Sequence, residues 1–263
     1  MSKNGSIHHP TAIIDPGAKI DADVYIGPYA IIGPNVKLHK GVRVESHAVI
    51  DGYTSIGAES IIFPHATIGS VPQDLRYRPC ESYVQIGERT TVRESVTINP
   101  GSFEGEKTAI GNDCLLMAFS HVAHNCVVKN NVILANSVAL AGYVSIEDYA
   151  IIGGLSGIHQ FVRIGSHVMV GGMTLILQDV VPYGLVGGNP SSMSGINIVG
   201  LKRRGFSDSQ ISAIKEVHKW IFREKITVVA AIKKIEKKYQ DEKCIQPILD
   251  FLGDGHFERG LTR

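Results

Sequence analysis

Every sixth residue from Ile14 onward is, with few exceptions, aliphatic. The series runs Ile14, Ile20, Ile26, Ile32 and on to Ile68, resumes at Ile86, Val92 and Ile98, and continues from Ile110 to Ile176. Of 28 positions in this register, 25 are Ile, Leu or Val; the exceptions, Asp74, Cys80 and Glu104, fall in two segments that read as inserted loops. Two residues before each aliphatic stands a small or β-branched residue, as at Ala30, Val36, Ala48 and Cys126, so both positions point inward on a short strand. Gly often follows the aliphatic, as at Gly57, Gly87 and Gly111, and is read as the permissive residue of a sharp corner. Three hexads make one 18-residue triangular coil, and coils stack at the interstrand spacing of about 4.8 Å. The expected fold is mainly β: a left-handed parallel β-helix of hexapeptide repeats over residues 1–190, with inserted loops near 70–83 and 99–107.

After Pro190 the six-residue register lapses and helical spacing takes over. Ser207-Asp208-Ser209-Gln210 has the form of a capping box. Ile211, Ile214, Val217 and Ile221 form one stripe, Val228, Ile232 and Ile235 a second, and Ile245, Ile248, Leu249 and Leu252 a third. A C-terminal helical domain of about three helices, residues 191–263, is therefore expected to cap the prism and cover its open strand edge.

Charge changes at the same boundary. Residues 1–200 carry 12 Lys/Arg and 16 Asp/Glu, or −4, whereas 201–263 carry 14 and 9, or +5. That excess is too small to indicate nucleic acid, and suits an acidic protein partner or a phosphorylated ligand. The first residues contain no apolar signal segment and no run of about 18 apolar residues follows, so a soluble cytoplasmic protein without stable membrane insertion is expected. The four cysteines fall in no C-x-x-C spacing and read as reduced; Cys114 and Cys126 occupy small inward positions. Flat, partly apolar outer faces, with the analogy of other hexapeptide-repeat acyltransferases, point to a homotrimer.

The repeat also sorts the candidate chemistry. His121, His124 and His159 occupy neither inward position, leaving an ordinary surface role or a site. With an 18-residue coil, His124, Gly142 and Gln160 form one column and Ala123, Ala141 and His159 the next. That strip suits a histidine base beside an uncrowded backbone N–H. His121-x-x-His124 with His159 also offers three imidazoles to a zinc ion, a weaker alternative on ligand-spacing grounds. The polar insertion Gln73-Asp74-Leu75-Arg76-Tyr77-Arg78 interrupts an otherwise regular prism. Lys202-Arg203-Arg204-Gly205 reads either as a solvated charge run or as a phosphate clamp at the domain junction.

Several segments carry a specific likeness: Gln73-Asp74-Leu75, Arg93-Glu94-Ser95-Val96-Thr97-Ile98, His121-Val122-Ala123-His124, His159-Gln160-Phe161, Met169-Val170-Gly171-Gly172 and Gly200-Leu201-Lys202-Arg203-Arg204-Gly205-Phe206. From about residue 7 to the C terminus the chain resembles the UDP-N-acetylglucosamine acyltransferases of lipid A biosynthesis. The resemblance implies a trimeric, cofactor-free enzyme that moves a 3-hydroxyacyl chain from acyl carrier protein to the 3-hydroxyl of UDP-N-acetylglucosamine. It places the general base on His124 and the oxyanion donor at the Gly142 N–H. Gln73, Asp74, Arg76, His121, His159, Gln160 and Asn197 match substrate-binding positions, Arg203 and Arg204 match UDP-binding positions, and Gly172 matches the position that limits acyl length. No position is assigned to a metal. The chain departs from the family pattern at Asn125, where Asp is common, at Tyr143, where His is common, and at Arg76, Val199 and Asn99-Pro100. Alternatives are a sugar N-acyltransferase, though the hexads begin by Ile14 and leave no room for the N-terminal uridine-binding domain usual there, an acetyl-CoA-dependent transferase of the same fold, and a zinc hydratase.

Overall fold

The computed structural model describes residues 5–253, 255 and 257–263. The hexads form a three-sided left-handed parallel β-helix, and most contribute one two-residue strand whose second residue is the buried aliphatic. One face, sheet A, has eleven strands, starting at Ile7–His8; sheet B has nine, starting at Ile13–Ile14; sheet C has eight, starting at Lys19–Ile20. The chain visits them in the order C, A, B within each coil. Successive strands of a face pair in parallel one full coil apart, as in Val122 with Leu140 and Leu140 with Ile158. The inward pairs make one core along the prism, in which Ile32, Leu38, Ile98, Leu116 and Leu134 are at most 1% exposed.

Both insertions leave the prism between sheets B and C. Ile68 pairs with Ile98 and Ile98 with Val122, where an uninterrupted prism would pair Ile68 with Ile86 and Ile98 with Leu116. Each insertion therefore lengthens its coil by a whole number of hexads, which is why the aliphatic register resumes in phase.

Gly provides few of the corners: directly after an aliphatic it takes a positive φ at Gly69 (83°), and three residues after one at Gly41 (71°). The left-handed backbone falls three residues after most of the aliphatics, on residues such as His47 (φ 60°), Asn125 (φ 62°), Tyr143 (φ 61°) and Phe161 (φ 65°). This unfavourable conformation is held by the coil beneath, as where Tyr143 N–H donates to the His124 carbonyl at 3.0 Å. Gly directly after the aliphatic is needed for stacking: a Cβ on Gly87 would lie 2.6 Å from the Gly111 carbonyl carbon.

Beyond the last parallel coil, sheet A is extended by Gly184–Gly187 and an antiparallel strand, Ser192–Ile196. The edge of that face is therefore finished by a strand rather than a helix, because a strand continues the hydrogen-bond ladder. Four helices follow among the described residues: α1 (Ile198–Arg203), α2 (Asp208–Phe222), α3 (Val228–Tyr239) and α4 (Gln246–Leu252). The additional one, α1, is only six residues long and shows no apolar stripe; it puts Lys202 and Arg203 in a last turn. Ser207 and Gln210 form the capping box that starts α2. The three apolar stripes converge with Val181 and Tyr183 of the prism end in a second core. No described helix is long and apolar enough to cross a membrane.

Candidate active site

The first insertion and the outer surface of sheet B enclose a cleft of about 850 Å³. Its floor is an outward column of sheet B, His121, Ala139, Gly157 and Leu175, because residues paired across successive strands point the same way. One wall is the following corner, with His124, Gly142, His159 and Gln160. Gln73, Asp74 and Arg76 of the first insertion form the other. Eight of the predicted residues thus meet in one place.

His124 sits where these parts converge, its side chain 13% exposed and its Nε2 3.7 Å from Asp74 Oδ2. Its Nδ1 lies 2.9 Å from the side-chain oxygen of Asn125, and its ring meets Tyr143 edge-on at 5.3 Å. An amide oxygen accepts only, so in the neutral ring Nδ1 carries the proton and Nε2 presents its lone pair to the cleft. Gly142 lies against the ring, where a Cβ would be 2.5 Å from both Cε1 and Nε2. The Gly142 N–H donates to no acceptor among the described residues. A base and a free N–H on the same wall can take a hydroxyl proton and bind an oxyanion.

Asp74 is fixed from its own loop. Arg76 Nη2 and Nε donate to its two oxygens at 3.0 and 3.2 Å, Arg76 N–H donates at 2.9 Å, and Ser102 Oγ lies 3.3 Å away. The Arg76 bonds hold the Asp74 carboxyl down at about 2, so it is an anion at neutral pH. The second insertion braces the first, since Asn99 Nδ2 donates to the Ser70 carbonyl at 3.1 Å and Gly105 N–H to that of Glu81 at 2.8 Å. His121 hydrogen-bonds Thr97 Oγ1 at 2.7 Å; burial, and then His124, push its pKa down, keeping it neutral. His159 Nδ1 donates to the Gln160 carbonyl at 3.2 Å.

Four predicted residues lie elsewhere on the chain. Gly172 is exposed at the corner between sheets A and B. Arg203 is exposed at the end of α1, and Arg204 lies at the corner between sheets C and A, donating to the Tyr149 carbonyl at 3.0 Å. Its Nη1 has no partner among the described residues. Asn197 is 7% exposed and caps α1, its oxygen accepting from Gly200 N–H at 3.0 Å and its Nδ2 donating to the His167 carbonyl at 3.0 Å. Both ends of that amide are committed to structure.

The zinc alternative requires three imidazoles around one point. Among the described residues no three His, Cys, Asp or Glu are so placed. His159 is two coils, about 10 Å, beyond the coil of His121 and His124. Two contacts escaped the hexad ruler: the approach of Asp74 to His124, and Glu106 behind Asn125. Both carboxylates sit in insertions, where the aliphatic pattern is broken, so spacing carried no signal for them.

A three-sided hexad prism with a histidine-bearing cleft defines the class of hexapeptide-repeat transferases, and residues 107–142 match the bacterial transferase hexapeptide model. Residues 8–102 match the model of the GMPPB C-terminal domain, and residues 179–262 match domain 2 of UDP-N-acetylglucosamine O-acyltransferase. The acyl-[acyl-carrier-protein]--UDP-N-acetylglucosamine O-acyltransferase of Agrobacterium fabrum is 44% identical over 94% of this chain and 92% of its own length. Its counterpart from Paracidovorax citrulli is 47% identical over 87% and 88%. The solved LpxA of Acinetobacter baumannii superposes with a TM-score of 0.94 at 42% identity, covering 98% of this chain and 100% of that one. The chain belongs to the acyl-[acyl-carrier-protein]--UDP-N-acetylglucosamine O-acyltransferase family.

Proposed function

We propose that this enzyme transfers a 3-hydroxyacyl chain from acyl carrier protein to the 3-hydroxyl of UDP-N-acetylglucosamine, the first step of lipid A biosynthesis, in the cytoplasm. The observation that carries the chemistry is His124: its Nδ1 faces an acceptor, its Nε2 opens on the cleft, and an ionised carboxylate lies 3.7 Å from Nε2. Nε2 takes the proton of the sugar hydroxyl as that oxygen attacks the thioester carbonyl. The Gly142 N–H donates to the oxyanion of the tetrahedral intermediate. Asp74 faces the imidazolium until the intermediate collapses and the proton passes to the departing carrier thiolate. His121, His159, Gln160, Gln73 and Arg76 surround the sugar and acyl donor.

Arg203 and Arg204 are assigned to the UDP phosphates and Gly172 to the far end of the acyl groove. These residues and the cleft occupy three different corners of the prism, which supports a homotrimer whose sites form between neighbouring protomers. The basic helical domain receives the acidic carrier protein. Replacing the base tests the reading: His124→Ala is expected to lower transfer roughly 10²- to 10⁴-fold with the fold intact by circular dichroism. Near-normal transfer from hydroxyacyl carrier protein to UDP-N-acetylglucosamine by that variant overturns it.

A further inference from the structure

Two side chains that touch His124 share a contact with a third residue outside the cleft. Asn125 Nδ2 donates to Glu106 Oε2 at 2.7 Å, and the Tyr143 hydroxyl lies 3.5 Å from the same oxygen. That carboxylate also accepts from the Phe103 N–H, at 3.2 Å. Glu106 comes from the second insertion and does not line the cleft.

We infer that Glu106, acting through the Asn125 amide, is a positioning residue that fixes the tautomer of His124 and supplies the anion behind it. An ionised carboxylate only accepts hydrogen bonds, so the Asn125 group turned toward Glu106 is the NH₂. The amide oxygen is then turned toward His124 Nδ1, where it also accepts from Ser102 N–H at 3.1 Å. An oxygen at that place requires the proton on Nδ1 and leaves Nε2 free. Were the amide reversed, its NH₂ would face Nδ1, the ring proton would move to Nε2, and the lone pair would be lost from the cleft.

Asn125 itself has little freedom. Its backbone N–H donates to Thr108 Oγ1 at 2.8 Å and its φ is 62°, a conformation that Asn tolerates better than most residues. An Asp at 125 would set two carboxylates within hydrogen-bonding distance, whereas the amide joins Glu106 to the imidazole as donor to one and acceptor from the other. The relay therefore extends from Glu106 through Asn125 to His124, and the imidazolium formed during transfer lies between it and Asp74.

The inference rests on His124 being the base, and two independent readouts keep the questions apart. In resting enzyme, ¹⁵N resonances of selectively labelled histidine are expected to show His124 as the Nδ1–H tautomer. Glu106→Ala should convert it to a mixture or to Nε2–H. The same variant should lower kcat roughly 10- to 100-fold, with KM for the sugar nucleotide held within about twofold because Glu106 does not line the cleft. Glu106→Gln, which keeps an acceptor but no charge, should fall between. Asn125→Asp placed on Glu106→Ala should restore most of kcat, since it returns a carboxylate to Nδ1; a loop that has merely lost its shape is not repaired that way. An unchanged tautomer in Glu106→Ala, or a folded double variant as slow as Glu106→Ala, overturns the relay. A changed tautomer with unaltered kcat overturns its part in the reaction, and normal turnover by His124→Ala instead removes the base assignment.

Discussion

The His124 ring and the Gly142 backbone occupy space that no further side chain can enter. A Cβ on Gly142 would come within 2.5 Å of Cε1 and Nε2, and the backbone there is not in the left-handed region. Gly142→Ala is therefore permitted by the chain but not by the ring, which must rotate out of line with Asn125 and Asp74. The expected result is a kcat at least about 10-fold lower with thermal stability close to wild type, because misplacing a base costs rate before it costs fold. A stable variant with unchanged kcat would show that the ring has room to spare. The stacking of His124, Gly142 and Gln160 was legible in the sequence, since an 18-residue coil is a ruler. The partners of His124 were legible only in part: Asn125 was visible as a departure from the family pattern, but not that Glu106 stands behind it.

At the scale of the coil, the hexad gave the strands, the core and the phase of both insertions, but not the reason for its glycines. Corners form on Asn, Tyr, His and Phe in the left-handed conformation, and a single-coil view cannot reveal this because the stabilising hydrogen bond comes from the coil beneath. Gly87 illustrates the alternative requirement. A Cβ there would lie 2.6 Å from the Gly111 carbonyl carbon and 2.3 Å from Asn112 Oδ1, so the two coils would have to separate. Gly87→Ala is expected to destabilise by about 1–3 kcal/mol, as overpacking does, read as a lower denaturant midpoint; a neutral or stabilising effect would restore the flexible-corner explanation. Helix α1 escaped notice for a related reason. Six residues are too few for an apolar period, and its cap, Asn197, acts through contacts with Gly200 and His167 rather than through a pattern.

At the scale of the whole molecule, the distribution of parts over the prism is a constraint on assembly. The base follows sheet B, Gly172 follows sheet A, and the carbonyl that anchors Arg204 follows sheet C. A rotation of one third about a shared axis places unlike corners of neighbouring prisms side by side, so the cleft of one protomer meets another corner of the next. Under that arrangement His124 and Arg204 serve one site from two chains. His124→Ala and Arg204→Ala, each inactive alone, should then complement when co-expressed. With random assortment about a quarter of the sites would inherit both wild-type residues, and transfer should recover to that order. If the UDP moiety instead lies along a single protomer, every site contains one lesion, and the mixture will be no more active than its components.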